Sequence, residues 1–98
     1  MKTLHVFSHS PFQDASLLNT LGLLSAGDAL LLTGDAVYAF IPDGAAWTSL
    51  KSQLETQRCY VLEEDAEARM VTPPESFESI DYPDFVALCA AYDKVVSW

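Results

Sequence analysis

The first candidates for nucleophilic chemistry in this sequence are its two cysteines. Cys59 begins the predicted strand Cys59–Leu62, and Cys89 lies on the apolar stripe of a predicted last helix. A sulfur carrier needs an accessible thiolate, typically in a loop or at a helix N-terminus. Neither cysteine has that context, so we expect two inert thiols; a reactive Cys59 or Cys89 is the alternative.

Two histidines four positions apart, His5 and His9, form the second candidate pair. As metal ligands they would need a third partner, and Asp35 is the candidate. The more common arrangement for such a pair is structural. We therefore favour a His5 that donates to a backbone carbonyl inside its strand and a His9 in solvent.

An acidic run, Glu63-Glu64-Asp65 with Glu67, is the third candidate. It would suit a cation or a basic protein partner. Acidic residues are also common in the first turn of a helix, where they interact favourably with its dipole. We favour this second interpretation, a solvated helix start.

The four glycines (Gly22, Gly27, Gly34 and Gly44) are isolated from one another. A loop that binds phosphate groups needs clustered glycines, as in GxGxxG or a P-loop. We therefore expect no nucleotide cofactor, and no cofactor of another kind.

Short apolar runs and amphipathic segments alternate along the chain. The predicted strands are Leu4–Phe7, Ala29–Thr33, Cys59–Leu62 and Phe77–Ile80. The predicted helices run from an N-cap at Asp14 to a stop at Gly27, over Ala45–Thr56, over Glu63–Met70, and from Asp81-Tyr82-Pro83 onward. This alternation predicts an α/β domain with a mainly parallel sheet between two helical layers.

The segment Ala36–Ile41 fits two structures. It can be the return strand of a hairpin, or a short buried helix that begins at Asp35. Ala36 and Ala39 favour the helix, and Pro42 would end it, so we favour the helix.

Length and charge restrict the classes of function. The 98 residues fit a single domain over residues 1–98. Five basic residues against fourteen acidic ones give a net charge of −9, which disfavours direct contact with nucleic acid or with an anionic membrane. The N-terminal residues lack the apolar stretch of a signal peptide, and no run approaches a membrane span, so we expect a cytoplasmic protein.

The chain ends in an apolar segment, Val95-Val96-Ser97-Trp98. A large aromatic residue at a chain end is ordered only when another surface covers it. The sequence leaves two alternatives open: Trp98 folds back onto its own domain, or it docks against another chain.

Several of these stretches together resemble the DsrH/TusB family of sulfur-relay subunits. The match covers essentially the whole chain, and its most telling part is the C-terminal third. The matching stretches are Leu4-His5, Ser10-Pro11-Phe12, Ala26-Gly27-Asp28, Leu30-Leu31-Leu32, Asp35-Ala36-Val37-Tyr38-Ala39, Ile80-Asp81-Tyr82, Asp84-Phe85-Val86 and Ser97-Trp98.

The resemblance implies a DsrE-like fold and membership of a heterohexamer that holds two copies each of three related chains. In the TusBCD version, the complex passes persulfide sulfur between carrier proteins for the formation of 2-thiouridine at the tRNA wobble position. In the DsrEFH version it serves sulfur oxidation. The implied partners are TusC-like and TusD-like sister subunits with upstream and downstream sulfur carriers. Tyr82, Phe85 and Trp98 are the candidate interface residues.

The principal carrier cysteine of these complexes belongs to the sister subunit that resembles DsrE and TusD. DsrH-type members can carry a further cysteine in the first helix, three residues after the position of Leu17, and this chain has Thr20 there. A threonine hydroxyl cannot form a persulfide. The resemblance therefore implies a TusB-type subunit without catalytic residues. The alternatives are a DsrH-type subunit of sulfur oxidation and a sulfurtransferase acting through Cys59 or Cys89.

Overall fold

We describe a computed structural model of the chain over residues 2–10, 16–40, 47–48, 50–51 and 57–98. Its strands are β1 (Thr3–Phe7), β2 (Ala29–Leu32), β3 (Arg58–Leu62), β4 (Glu78–Ile80) and β5 (Lys94–Ser97). Its helices are α1 (Ser16–Leu21), a 3₁₀ helix (Gly34–Phe40), α2 (Glu63–Ala68) and α3 (Tyr82–Ala91). Residues 47–48 and 50–51 are also helical.

The five strands form one parallel sheet in the order β4-β3-β2-β1-β5. Every residue of β2, at the centre, is buried. The unbroken apolar run Ala29–Leu32 predicts this, since a strand covered on both faces has no solvated side on which to alternate.

Helices cover both faces of the sheet, which confirms the predicted three-layer α/β architecture. One apolar cluster joins Phe7, Leu30 and Leu32 of the sheet to α1, the 3₁₀ helix and α2. A second cluster joins Leu4, Leu31 and other sheet residues to α3. The first cluster contains more of the fully buried side chains, whereas every residue of α3 keeps some exposure. The α3 layer is therefore the thinner of the two.

The segment after β2 is helical, which confirms the helix that we favoured over a hairpin strand. It forms a 3₁₀ helix that buries Ala36, Val37, Ala39 and Phe40; Ile41 and Pro42 lie outside the described residues. Gly34, at its first position, has a φ of +50°, and a Cβ there would lie 3.1 Å from the Ser8 carbonyl oxygen. This glycine allows the chain to turn tightly against the end of β1.

The predicted end of the first helix is wrong. Helix α1 ends at Leu21, not near Gly27, and a turn in which Leu23 N–H donates to the Thr20 carbonyl follows it. Leu23 is 75 % exposed and therefore does not extend the apolar face. The Asp14 cap lies outside the described residues, as does most of the predicted helix Ala45–Thr56.

The last helix begins as predicted. The Asp81 carboxylate caps it by accepting a hydrogen bond of 2.9 Å from the Asp84 amide, and Pro83 lies in its first turn. The sequence also predicts Val86 on the apolar stripe of this helix, and this is wrong, because Val86 is 71 % exposed. Phe85, Leu88, Cys89 and Tyr92 do pack on the sheet.

The segment after α3 forms β5, a strand that the sequence reading does not assign. It pairs with β1, and the paired residues, such as Thr3 and Lys94, are 91 positions apart in the sequence. No helix in the described ranges is long and apolar enough to cross a membrane.

Candidate functional site

The two cysteines occupy environments that suppress thiolate formation. Cys59 is buried within β3, and this burial raises the pKa of its thiol from 9.0 to about 11. Cys89 is half-buried between α3 and the sheet, where desolvation also raises its pKa. At both positions burial therefore favours the protonated thiol over the thiolate.

Thr20 lies on α1 and is 3 % exposed. Its side chain offers a hydroxyl, which is a poor nucleophile without an adjacent base. Thr20 is therefore a buried residue without a thiol.

His5, His9 and Asp35 do not come together as a set of metal ligands. The Asp35 carboxylate accepts a 2.8 Å hydrogen bond from Nε of Arg69, and His9 Nδ1 lies 3.3 Å from the main-chain oxygen of Trp98. Within the described ranges, no group of three or more His, Cys, Asp or Glu residues is placed to hold a metal ion.

His5 contacts a carboxylate, and the predicted backbone carbonyl partner is wrong. Its Nε2 lies 3.1 Å from Oδ2 of Asp28, a residue 23 positions away that is 7 % exposed. Asp28 sits in the turn before β2, where it also accepts hydrogen bonds from the amides of Ser25 and Thr3. Its place in a polar turn just before a buried strand is the sequence signal for such a role.

Hydrogen bonding determines the charge state of Asp28. Burial alone raises the pKa of its carboxyl group, but the Ser25 amide, the His5 ring and the Thr3 amide together outweigh burial and hold the pKa below its ordinary value. The carboxylate is thus ionised at neutral pH and ties β1, β2 and the intervening turn together.

Trp98 completes this cluster from the other end of the chain. Its indole Nε1 donates to Nδ1 of His5 at 3.1 Å, and its ring stacks on the rings of His5 and Phe7 with centroid distances of 6.1 and 6.3 Å. Of the two alternatives left open by the sequence, this structure shows the first, in which Trp98 folds onto its own domain. The ring remains 38 % exposed.

The acidic run begins α2 directly after β3, as predicted, but it is not uniformly solvated. Asp65 accepts a 2.7 Å hydrogen bond from the Gly34 amide, and its other oxygen lies 3.9 Å from the Arg69 guanidinium. Glu64 accepts from the Tyr82 amide at 3.3 Å. These two carboxylates therefore join α2 to the 3₁₀ helix and to α3.

The three candidate interface residues do not lie together. Tyr82 begins α3 and is 51 % exposed, and Phe85 packs from the same helix onto the sheet. Trp98 stacks on Phe7, which belongs to the cluster on the opposite face of the sheet. Any surface that includes Tyr82 is thus separate from the surface around Trp98.

Comparison with known proteins relates this chain to a single family. The family model described as "DsrH like protein" matches residues 9–95. The chain is 35 % identical over 97 residues to protein TusB of Klebsiella pneumoniae, and 38 % identical over 98 residues to protein TusB of Escherichia coli O81, covering 97 % of this chain and 99 % of each relative. Protein TusB of Erwinia tasmaniensis is 36 % identical over 100 residues, with the same coverage.

Two solved structures share the fold. The ychN protein of E. coli superposes with a TM-score of 0.75 at 18 % identity over 100 % of both chains. A protein of unknown function from Methanobacterium thermoautotrophicum, MTH1491, gives a TM-score of 0.63 at 7 % identity, covering 99 % of this chain and 97 % of that one. With the family match over most of its length and TusB relatives along nearly all of it, this chain belongs to the DsrH-like family.

Proposed function

We propose that this chain is a non-catalytic, TusB-type subunit of a TusBCD-like sulfur-relay complex in the cytoplasm. Its single domain, residues 1–98, would assemble with TusC-like and TusD-like sister chains into a heterohexamer. That complex passes persulfide sulfur from an upstream to a downstream carrier for 2-thiouridine formation at the tRNA wobble position. The chain itself would bind neither the tRNA nor a cofactor.

The observation that carries this proposal is the near full-length similarity to TusB together with a buried threonine at the carrier position. Thr20 is 3 % exposed and has no thiol. Burial raises the pKa of Cys59 to about 11 and also raises the pKa of Cys89. Both thiols are therefore poor alternative nucleophiles. Sulfur transfer through this polypeptide is thus disfavoured, which also weighs against a cysteine-dependent sulfurtransferase.

The exposed apolar residues of α3 support a role in assembly. Tyr82 and Val86 are 51 % and 71 % exposed on the thinner helical layer. We propose that this side of α3, with Phe85 beneath it, contacts a sister subunit. Trp98 would form part of a second contact at the β1–β5 edge.

Co-expression with the two sister chains tests assembly. We expect the three chains to co-purify in equal amounts. Tyr82→Ser should weaken recovery of the complex without unfolding the chain, because the side chain is half exposed. Met70→Ser is the matched control, since Met70 is 94 % exposed and follows the end of α2, whereas Tyr82 begins α3. A monomer that ignores both sister chains would refute the proposal.

Mass spectrometry during turnover tests the non-catalytic assignment. The purified complex is supplied with a persulfide donor protein and each chain is weighed intact. We expect the added sulfur on a sister chain and none on this one. Sulfur on this chain that disappears in Cys59→Ser or Cys89→Ser would contradict the assignment.

A further inference from the structure

A cavity of about 470 Å³ opens at the amino edge of the sheet. Lys2, Asp28 and Arg58 contribute to it from the residues that precede or begin β1, β2 and β3. Its volume falls in the range of small-ligand pockets. Ligands of open parallel sheets usually bind at the opposite, carboxyl edge, so this cavity, which we call the amino-edge pocket, is a separate feature of the fold.

The acceptor atoms of the amino-edge pocket are already engaged. Oδ1 of Asp28 accepts from the Thr3 amide at 3.1 Å, and Oδ2 accepts from the Ser25 amide and from His5. Asp28 therefore has little capacity left to accept a hydrogen bond from a ligand.

Hydrogen-bond donors are in excess. Lys2 and Arg58 bring eight N–H groups between them, and Tyr60 is a hydrogen-bonding neighbour of the Arg58 guanidinium. Among the described residues, neither side chain has a carboxylate within ion-pair distance. Glu78 approaches Arg58 from β4 but does not line the cavity.

The charge of the lining is opposite to that of the whole protein. Two cationic side chains face one carboxylate in the amino-edge pocket, whereas the chain carries a net charge of −9. Two of only five basic residues thus meet at one cavity. An anion approaching this protein elsewhere would meet a repulsive field.

Tyr92 contributes a neutral phenol to the wall of the amino-edge pocket. Burial and a hydrogen bond with Tyr60 raise the pKa of Tyr92 to about 12, so its phenol keeps its proton at physiological pH. The rings of Tyr60 and Tyr92, with Leu88 and Ala91 of α3, form apolar walls that limit the ligand to a compact group.

We propose that the amino-edge pocket binds an oxyanion, a phosphate or carboxylate group held between Lys2 and Arg58. The site lies on this chain alone, so its test requires no sister subunit and is independent of the proposed function.

Amide NMR titration of the full chain tests the site. Inorganic phosphate and N-acetylaspartate are added in separate arms at constant ionic strength, with chloride replaced so that screening does not change. We expect saturable shifts of the amides of Gly27, Asp28, Arg58 and Tyr92. Tighter binding of phosphate would assign the site to a free oxoanion, and tighter binding of N-acetylaspartate to a protein carboxylate.

Variants show whether the named side chains form the site. Lys2→Gln and Arg58→Gln should each weaken binding about tenfold, because each removes charge-assisted hydrogen bonds. Tyr92→Phe keeps the ring that forms the wall of the pocket and should leave binding close to that of the parent. Lys51→Gln, which removes one exposed positive charge outside the pocket, should bind as the parent does. Shifts that do not saturate, or that weaken equally in all four variants, would overturn the proposal.

Discussion

The indole Nε1–H of Trp98 donates a hydrogen bond of 3.1 Å to Nδ1 of His5, a residue 93 positions earlier. Because an indole N–H is only a donor, Nδ1 of His5 must be the unprotonated nitrogen, and the ring proton sits on Nε2. That nitrogen lies 3.1 Å from the ionised Asp28 carboxylate. The three side chains thus form a directed chain of hydrogen bonds from the end of β5 through β1 to the turn before β2.

Removing Trp98 should loosen the β1–β5 edge. We expect Trp98→Ala to lower the free energy of unfolding by about 2 kcal/mol, below the usual cost of deleting a buried aromatic residue because the ring is 38 % exposed. Trp98→Phe keeps a stacked ring but loses the donor and should cost about 1 kcal/mol. Urea denaturation measures both. Unchanged unfolding of the Ala variant would mean that the ring contributes nothing to stability.

The tautomer of His5 is a direct readout of the same hydrogen bond. Nitrogen-15 NMR of the imidazole should show the Nε2–H form at neutral pH. In Trp98→Phe, the Nδ1–H form should gain population, since Nδ1 no longer accepts a hydrogen bond. An identical tautomer distribution in both proteins would contradict this assignment.

Asp28→Asn should destabilise the fold in a pH-dependent way. The pKa of Asp28 is depressed in the folded chain, so the stabilisation it provides is complete above the ordinary carboxyl pKa of about 4 and is lost as pH falls through the folded pKa. We expect a cost of about 1–3 kcal/mol at pH 7 that shrinks as the solution is acidified below about pH 4. Urea unfolding at a series of pH values measures it.

Asp93→Asn is the matched control for that series. Asp93 also accepts a backbone amide, from Lys2 at 2.8 Å, but at an exposed position. Its substitution should cost a few tenths of a kcal/mol because water replaces the lost contact. If the free energies of unfolding of Asp28→Asn and the parent differ by the same amount down to pH 3, the ionisation of Asp28 does not contribute to stability.

Met70→Gly should stabilise the chain. Met70 has a φ of +55° and follows α2, where its amide donates to the Glu67 carbonyl and the Val71 amide donates to the Ala66 carbonyl. This pair of hydrogen bonds is the Schellman motif, whose left-handed residue is usually glycine. Since the Met70 side chain is 94 % exposed, little packing is lost, and we expect a gain of up to about 1 kcal/mol.

Met70→Ala provides the control, because alanine removes the side chain but keeps the left-handed strain. It should leave the unfolding midpoint close to that of the parent. Gly34→Ala should do the opposite of Met70→Gly and destabilise, since φ is +50° there and the Ser8 carbonyl lies in the way. Equal midpoints for Met70→Gly and Met70→Ala would show that strain is not the cause.

The cysteines should differ in reactivity. At pH 7.5 we expect iodoacetamide to leave Cys59 unmodified in the folded chain, because burial blocks access and raises the pKa to about 11. Cys89 should react more slowly than free cysteine but faster than Cys59. Peptide mass mapping gives both rates, and denaturation should make them equal. A Cys59 that reacts like free cysteine would contradict the structure.

Much of the fold follows from local patterns in the sequence. The unbroken apolar run Ala29–Leu32 predicts a central strand, and Asp81 with Pro83 predicts the start of α3, because each depends on near neighbours along the chain. Met70 shows where local patterns mislead. The helix predicted over Glu63–Met70 ends two residues earlier, at Ala68. The sequence pattern misses this end because Met70, and not a glycine, follows the helix.

The contacts of the site join residues that are far apart in the sequence, so local patterns cannot predict them. The sequence by itself determined the family resemblance, the α/β class, and the lack of a thiol at Thr20. The tertiary structure decided that Trp98 contacts His5 and that the partner of His5 is the Asp28 carboxylate and not a backbone carbonyl. It also decided that Lys2 and Arg58 line the same pocket. These contacts arise from the order in which parallel strands associate, which brings together side chains that no helical or strand periodicity relates.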